Sequence, residues 1–204
     1  MTIKAVIFDW GGVIIKDPAY KMLKFCADFL RVDKHRLEIV YSKYKEKFQK
    51  GKITENQLFD KMISELNLKV KIKPKFSLWK KAVRKIFKVN KRIIYLIKKL
   101  KKQNYKIAIL SNTEVPAVEY FYEKGFNKYF DVKVFSCEVG FVKPQKEIYK
   151  IALKRLKSKP QEVIFIDDNE EYVNSAKKIK INAVLFKNFK KLIYDLKFYL
   201  PNFN

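Results

Sequence analysis

The sequence predicts an α/β fold in which a three-layer core, one parallel sheet between two layers of helices, carries an inserted helical cap. Five of the six residues in the segment 3–8 are apolar, which is typical of a buried strand. From Asn90 onward, short apolar segments alternate with longer stretches of helical periodicity, and strands separated by helices are expected to pair in parallel. Between these two regions the chain has helical periodicity only.

The helical region interrupts the core and divides the chain in two. We expect a core domain from residues 1–16 and 89–204, and a cap domain from residues 17–88. Within the cap, Thr54 and Gln57 have the spacing of a capping box, and Pro74 breaks the helical pattern. The predicted cap helices cover about 17–31, 35–49, 54–66 and 78–87. The strands after the first are predicted at 106–110, 132–135, 163–166 and 183–186. The core helices are predicted at about 90–100, 116–124, 144–156, 171–179 and 189–200.

The chain is strongly basic, with 204 residues and a formal net charge of +25 from 46 Lys and Arg against 21 Asp and Glu. The lysines are spread over the whole sequence, without an arginine-rich arm, zinc-ligand spacing or an aromatic RNA-binding signature. We therefore expect no specific nucleic-acid partner. A basic surface would still steer anionic substrates toward the protein.

The sequence also bears on the compartment. No apolar run is long enough to span a membrane, and the first apolar segment is interrupted by Asp9, unlike a signal peptide. Cys26 and Cys137 have neither metal-ligand spacing nor the pattern of a disulfide framework. We expect a cytoplasmic protein, monomeric or homodimeric, with no membrane partner.

Polar side chains follow the predicted strands at the points where the strands end. Ligands of open parallel sheets bind outside the carboxyl ends of the strands, so these residues are candidates for one site. Gly11 and Gly12, just after the first strand, leave room for a ligand or another backbone segment. The candidate side chains are Asp9 after the first strand, Ser111 and Asn112 after the second, Lys143 after the third, and Asp167 and Asp168 after the fourth.

These groups suit phosphoryl transfer. Two adjacent acids beside Asp9 would repel one another unless a cation lies between them, and an all-oxygen site of this kind suits Mg²⁺. Lys143 and the metal can neutralise phosphoryl oxygens, while Ser111 and Asn112 can donate hydrogen bonds to them. Asp9 can then attack phosphorus and form an aspartyl-phosphate.

The chain resembles the haloacid dehalogenase-like (HAD) hydrolase superfamily over its whole length. The four motif regions of that family occur in order, as Phe8-Asp9-Trp10-Gly11-Gly12-Val13, Leu110-Ser111-Asn112, Lys143-Pro144 and Ile166-Asp167-Asp168-Asn169. The resemblance implies a Rossmann-like core and a cap at residues 17–88.

The resemblance also implies roles for individual residues. Asp9 would be the nucleophile and a metal ligand, and Lys143 would orient Asp9 and the phosphate. Ser111 and Asn112 would bind the phosphate. The metal ligands would be Asp9, the backbone carbonyl of Gly11, and Asp168 as the principal acid with Asp167 beside it.

One position departs from the family pattern. Many phosphatases of the family have a second aspartate two residues after the nucleophile as general acid and base, and here that residue is Gly11. The Asp-x-Gly-Gly form is similar to a branch that includes bacterial phosphatases acting on glucose-1-phosphate. Metal binding through the backbone carbonyl of Gly11 is retained in this form, whereas proton transfer to the leaving group lacks its usual acid.

The expected function is Mg²⁺-dependent hydrolysis of a small phosphorylated metabolite, such as a sugar phosphate. A 2-haloacid dehalogenase would use the same Asp9 and tolerate Gly11 but needs no metal, which Asp167 and Asp168 argue against. The third alternative is a non-catalytic binding protein with a basic surface.

Overall fold

Strand β1 (Ala5–Phe8) lies at the centre of a five-stranded parallel sheet in the computed structural model, which describes residues 2–70, 72–73 and 76–200. Pro74, expected to interrupt the cap, lies outside the described residues. The order of the strands in the sheet is β3-β2-β1-β4-β5. The other four strands are β2 (Lys106–Ser111), β3 (Val132–Phe135), β4 (Val163–Asp167) and β5 (Asn182–Leu185).

The register of the three central strands brings their carboxyl ends to one level. Phe8 of β1 is paired with Ile109 of β2 on one side and with Ile166 of β4 on the other. The Asp9 N–H donates to the Ile166 carbonyl at 2.9 Å, which extends this alignment by one residue. The residues that follow the three strands therefore lie side by side at one edge of the sheet.

Helices surround the sheet and fill the region between β1 and β2. In the described part of residues 17–88 these are α1 (Ala19–Leu30), α2 (Lys34–Gln49), α3 (Glu55–Glu65) and α4 (Leu78–Ile86). The later helices are α5 (Lys91–Lys102), α6 (Val115–Glu123), α7 (Ser136–Val139), α8 (Lys146–Leu156), α9 (Glu170–Lys178) and α10 (Phe189–Tyr199).

Successive residues of β1 face opposite sides of the sheet, as the two-residue period of a strand requires. Ala5 and Ile7 belong to the apolar cluster that includes α8 and α9. Val6 and Phe8 belong to a second cluster that includes α5, α6 and α10 and continues into α1–α4. The predicted three-layer α/β core is confirmed, since apolar residues cover both faces of the sheet.

The chain leaves and re-enters the core through two segments that lie together. The Lys16 N–H donates to the Lys88 carbonyl at 2.9 Å, and the Asn90 N–H donates to the Ile14 carbonyl at 2.8 Å. Helix α4 then packs on α6, where Lys80 pairs with Glu119 at 2.7 Å. The helical region is thus tied to the core at its base and at α6, and the division at residues 16 and 89 stays a prediction.

One local prediction was wrong, and one short helix was not predicted. Pro144 does not open a helix, because α8 begins at Lys146 and residues 142–145 form a turn. In that turn the Gln145 N–H donates to the Val142 carbonyl at 2.8 Å, and the Val142 N–H donates to Gln145 Oε1 at 3.0 Å. Helix α7 was missed because four residues complete about one turn, too few to show helical periodicity.

The other predicted helices and strands are present, with ends that differ by up to two residues. None of the helices in the described part of the chain is both long and apolar enough to cross a membrane.

The capping box of α3 yields a stability prediction. Thr54 Oγ1 accepts from the Gln57 N–H at 3.2 Å, and the Thr54 N–H donates to Gln57 Oε1 at 2.9 Å. Thr54→Ala should lower the free energy of unfolding by about 1 kcal/mol, because the first turn of α3 loses its acceptor. Urea titration measures the change. Ser64→Ala, at an exposed position on the same helix, is the control, and equal losses in both variants would contradict this role of Thr54.

Candidate active site

Lys143 lies between two carboxylates at the carboxyl edge of the sheet. Its Nζ is 2.7 Å from Asp9 Oδ1 and 2.6 Å from Asp167 Oδ2. The side chains of Lys143 and Asp167 are 1% and 0% exposed, while that of Asp9 is 10% exposed. Lys143 therefore connects the ends of β1 and β4 in a largely dry environment, and only Asp9 of the three opens toward solvent.

The segment that carries Lys143 is fixed by Asn112. Asn112 Oδ1 accepts from the Lys143 N–H at 2.7 Å, and Asn112 Nδ2 donates to the Lys143 carbonyl at 2.9 Å. The Asn112 side chain thus binds both backbone groups of one residue. The ring of Tyr172, on α9, lies 5.0 Å from Lys143 Nζ, and its hydroxyl is 3.4 Å from Asn112 Nδ2. Asn112 and Tyr172 together direct the lysine into the sheet.

Three carboxylates meet at this edge, with one oxygen each from Asp9, Asp167 and Asp168 within 4.8 Å of one another. Asp167 uses both oxygens, because Oδ2 binds Lys143 and Oδ1 accepts from the Asn169 N–H at 2.8 Å. Asp168 is exposed and makes no hydrogen bond or ion pair with any other residue that the structure describes. Asp9 and Asp168 thus keep oxygens free for a ligand.

Gly12 provides the space for the Asp168 carboxylate. Its φ is +79°, and a Cβ on it would lie 1.9 Å from Asp168 Oδ2. A Cβ on Gly11 would meet only Pro18 Cδ at 3.7 Å, which is an ordinary contact. Gly12 is therefore the glycine that the geometry of the site requires, whereas Gly11 could carry a side chain.

Burial and charge shift the pKa values of this cluster. Burial raises the pKa of Asp9 to about 7; Lys143 opposes the shift, and the carboxylates of Asp167 and Asp168 reinforce it. Although part of Asp168 is exposed, its partial burial and then the negative charge of Asp167 raise its pKa to about 6. For Lys143, burial alone would lower the pKa, but the two carboxylates raise it to about 12. Lys143 therefore stays charged. A bound cation would favour the charged forms of Asp9 and Asp168.

The end of β2 supplies a hydroxyl to the same edge. Ser111 is 2% exposed, and its side chain makes no hydrogen bond with the described residues. The turn after it is fixed by Ser136, whose Oγ accepts from the Thr113 N–H at 2.8 Å and donates to the Thr113 carbonyl at 3.1 Å. The Ser111 hydroxyl is thus held near Asp9 and left available.

A cleft of about 600 Å³ separates this edge from α1 and α2. Its aromatic walls include Trp10, Tyr41 and Trp79. Trp10 serves both the cleft and the core, since its ring packs 5.1 Å from that of Phe126 and 5.4 Å from that of Phe121. Six of the seven predicted site residues line the cleft, namely Asp9, Gly11, Ser111, Asn112, Lys143 and Asp168.

Asp167 is the seventh predicted residue and lies beneath the cleft, bound to Lys143. Two residues of the site were not predicted from the sequence. Ser136 holds Thr113, and the ring of Tyr172 lies against Lys143. Tyr172 could have been found as the aromatic residue in the first turn of the helix after Asp167 and Asp168. No local signal marks Ser136, because its role depends on the pairing of β2 with β3.

A family model described as haloacid dehalogenase-like hydrolase matches residues 3–179. The chain therefore belongs to the haloacid dehalogenase-like hydrolases, as its four motif regions predicted. Placement in the Asp-x-Gly-Gly branch of that family stays a prediction.

Solved structures share the fold. A HAD family enzyme from Bacteroides thetaiotaomicron, in a magnesium complex, aligns with a TM-score of 0.77 at 21% identity over 94% of this chain and 98% of that one. The L-2-haloacid dehalogenase RSc1362 aligns with a TM-score of 0.68 at 14% identity over 92% and 87% of the two chains.

Curated relatives are similar over different lengths. The bifunctional epoxide hydrolase 2 of Rattus norvegicus is 34% identical over 70 residues, which are 34% of this chain and only 13% of that protein. A phosphorylated carbohydrates phosphatase of Thermotoga maritima is 30% identical over 52% of this chain and 49% of its own length. A sesquiterpene phosphatase of Aspergillus oryzae is 27% identical over 87% of both.

The carboxylate cluster yields a prediction for the metal-free protein. The pKa of Asp168 is above its unfolded value in the folded state, so ionisation destabilises the fold as pH rises from about 4 through about 6. Asp168→Asn should therefore raise the free energy of unfolding at pH 8 by about 1 kcal/mol, a value already lowered because solvent screens the exposed carboxylate. At pH 4 the substitution should change the free energy of unfolding little. Denaturant titrations in EDTA at both pH values measure the difference.

The control is Asp60→Asn, at an exposed position on α3. A gain for Asp168→Asn that is equal at pH 4 and pH 8 would show that ionisation of Asp168 is not its cause.

Proposed function

We propose that this protein is a Mg²⁺-dependent phosphatase that hydrolyses a small phosphorylated metabolite through an aspartyl-phosphate on Asp9. The observation that carries the proposal is the position of Asp9. Its Oδ1 is held 2.7 Å from Lys143 Nζ in the lining of the cleft. The Ser111 hydroxyl and the Asp168 carboxylate line the same cleft and have no hydrogen-bond partner among the residues that the structure describes.

The donor set fits magnesium. Asp9 and Asp168 have carboxylate oxygens without a partner among the described residues. Gly11 lines the cleft next to Asp9, where its backbone carbonyl can serve as a third oxygen ligand. Asp167 is already bound to Lys143 and to the Asn169 N–H, so it would support the site through Lys143 more than through the metal. When bound, Mg²⁺ would neutralise the charge on the phosphoryl oxygens and on the facing carboxylates.

The chain's own groups account for the steps of the reaction. Asp9 attacks phosphorus with one carboxylate oxygen while the bond from phosphorus to the leaving oxygen breaks, and the leaving oxygen takes up a proton to become an alcohol. Lys143 orients Asp9 and neutralises a phosphoryl oxygen, and the Ser111 hydroxyl donates a hydrogen bond to another. Asn112 keeps Lys143 in place. Water then hydrolyses the aspartyl-phosphate, which releases inorganic phosphate and restores Asp9.

The helical region acts as the cap of this site. We take residues 17–88 as the cap and residues 1–16 and 89–204 as the core, since the paired segments at 14–16 and 88–90 form a common base. The cleft lies between the cap helices α1 and α2 and the carboxyl edge of the sheet. A bound ester would place its phosphate against the core and its organic group against the cap.

The relatives support a phosphatase. The Thermotoga maritima and Aspergillus oryzae proteins are named as phosphatases, and the Bacteroides thetaiotaomicron structure contains magnesium. A dehalogenase is the second candidate, because Gly11 supplies no second acid and a haloacid dehalogenase shares the fold. The free carboxylate of Asp168 favours the phosphatase, since a reaction without metal leaves it unused.

The decisive experiment uses purified protein and a panel of phosphorylated metabolites, with phosphate release measured in Mg²⁺ and in EDTA. Asp9→Asn keeps the size of the side chain but removes the attacking charge, so turnover should fall to background. Asp168→Ala or EDTA should also abolish activity, because the metal loses a principal ligand or is removed. Asp28→Asn, on the surface of α1, is the matched control and should keep wild-type turnover.

A folded Asp9→Asn protein with near-normal turnover would refute the aspartyl-phosphate. Halide release from 2-haloacids, unaffected by EDTA, would instead establish the dehalogenase.

Gly11 gives a prediction about leaving groups. Without an acid at this position, the wild type should favour anomeric and aryl phosphates over simple alkyl phosphates, because poor leaving groups depend most on protonation. Gly11→Asp should raise the rate on alkyl phosphates most, and general acid catalysis is typically worth about 10²–10⁴-fold. The structure accommodates a Cβ at this position, since it would meet only Pro18 Cδ at 3.7 Å.

Rates over a series of leaving groups of known pKa measure the effect, with Gly11→Ala as the control that adds bulk without an acid. If wild-type rates do not depend on leaving-group pKa, another group already supplies the proton.

A further inference from the structure

The wall of the cleft opposite the carboxylate cluster contains a second buried acid, Glu114. This residue precedes α6, is 8% exposed and lines the cleft. It follows Ser111 by three residues, so its Cα lies at most about 11 Å from that of Ser111. A molecule whose phosphate binds at Ser111 and Asp9 therefore has its organic group within reach of Glu114.

The Glu114 carboxylate has few partners for a buried acid. Among the described residues it forms no ion pair, and its one hydrogen bond of normal geometry comes from Gln49 Nε2 on α2, at a long 3.3 Å. A carboxylate offers about four acceptor positions, and burial without compensation is costly. Burial raises the pKa of Glu114, and Gln49 and Trp79 only partly oppose the shift.

The cap side chains around Glu114 are aromatic and able to donate. Tyr41 and Trp79 stack with ring centroids 5.4 Å apart. Burial and then the charge of Glu114 raise the pKa of the Tyr41 phenol, so that its hydroxyl keeps its proton. Trp79 Nε1 is buried without a hydrogen bond of normal geometry in the described structure, although the indole lies near enough to Glu114 to lower its pKa. The Tyr41 hydroxyl and the Trp79 indole thus lie close enough to interact with the Glu114 carboxylate, but in the described structure neither forms a hydrogen bond of normal geometry with it.

We infer that Glu114 is a specificity-determining residue, whose carboxylate accepts a hydrogen bond from a hydroxyl group on the organic part of the phosphate ester. A hydroxyl both donates and accepts, so it matches a wall that offers a carboxylate and the side chains of Tyr41 and Gln49. The aromatic rings beside it suit the apolar faces of a sugar or another polyol. The substrate class is therefore a polyol or sugar phosphate, and this inference rests on the phosphatase function proposed above.

The test compares esters that differ in hydroxyl content but share a primary leaving oxygen. Glycerol 1-phosphate, ribose 5-phosphate and glucose 6-phosphate are paired with propyl, cyclopentylmethyl and cyclohexylmethyl phosphate. For at least one pair the wild type should favour the hydroxylated ester. Glu114→Gln should lower kcat/KM for that ester by about 10–100-fold, the value of a hydrogen bond to a charged group, and change the alkyl ester by less than about 2-fold.

The control is Glu119→Gln, on the exposed face of α6, where the carboxylate pairs with Lys80. It removes the same charge from the same helix and should leave both kinds of ester unchanged. Binding is measured separately as the thermal shift produced by the hydroxylated ester on Asp9→Asn protein. That shift should shrink when Glu114→Gln is added, while the shift with inorganic phosphate should not.

The outcomes separate this inference from the function itself. Absence of turnover with every ester, in Mg²⁺, would overturn the phosphatase. Equal losses on hydroxylated and alkyl esters would overturn the specificity role and leave Glu114 as a contact between cap and core. If Glu114→Gln, assayed on the series of leaving groups of known pKa, loses more activity as that pKa rises, whatever the hydroxyl content, Glu114 would instead be the proton donor. If the wild-type protein shows no preference for the hydroxylated ester in any pair, the inference is wrong, whether or not the variants fold.

Discussion

The buried ion pairs of Lys143 with Asp9 and Asp167 are the contacts on which the site depends. An ammonium group that leaves water loses solvation worth several kcal/mol, and close carboxylates on both sides offset that loss. With two carboxylates and one ammonium, this trio carries a net charge of −1, and Asp168 adds to it. The arrangement therefore attracts a cation, and the cation in turn favours a phosphate.

The two adjacent acids after β4 have separate positions because they lie on opposite sides of the chain. The Asp167 side chain points beneath the cleft, where one carboxylate oxygen binds Lys143 and the other accepts from the Asn169 N–H. Asp168 points over Gly12 into the cleft, where its carboxylate has no described partner. The two-residue alternation of an extended chain thus gives one acid an internal role and leaves the other for a ligand. Gly12 is part of this arrangement, because any side chain there would occupy the place of Asp168.

The two walls of the cleft differ in chemical character, and this difference indicates that they bind different parts of a substrate. The core wall presents charges and a hydroxyl close to the ends of β1, β2 and β4, as a phosphate requires. The opposite wall, formed by the helical region proposed as the cap, presents aromatic rings, and Glu114 at the seam accepts from Gln49 of α2. In the phosphatase proposed here, the core wall would act on any phosphate ester, while recognition at the seam would select among them. The net charge of +25 favours the approach of anionic esters from solution.

The sequence by itself determined the class of fold and the composition of the site. Apolar strands that alternate with helices leave a parallel sheet as the main solution, and the ends of parallel strands share one edge. For that reason the sequence alone could place together Asp9, Ser111, Asn112, Lys143, Asp167 and Asp168. The capping box at Thr54 was likewise predictable, because both of its hydrogen bonds are local.

Only the tertiary structure decided what each of these residues contacts. The turn at 142–145, which returns Lys143 to the sheet, depends on Asn112, a residue 31 positions earlier in the chain. The positions of Asp167 below the cleft and of Asp168 above Gly12 depend on how β4 pairs with β1. Glu114 acquires its burial only when α2 and α4 of the cap pack beside it. Such contacts join residues far apart in sequence, and periodicity, which reports only on local neighbours, carries no information about them.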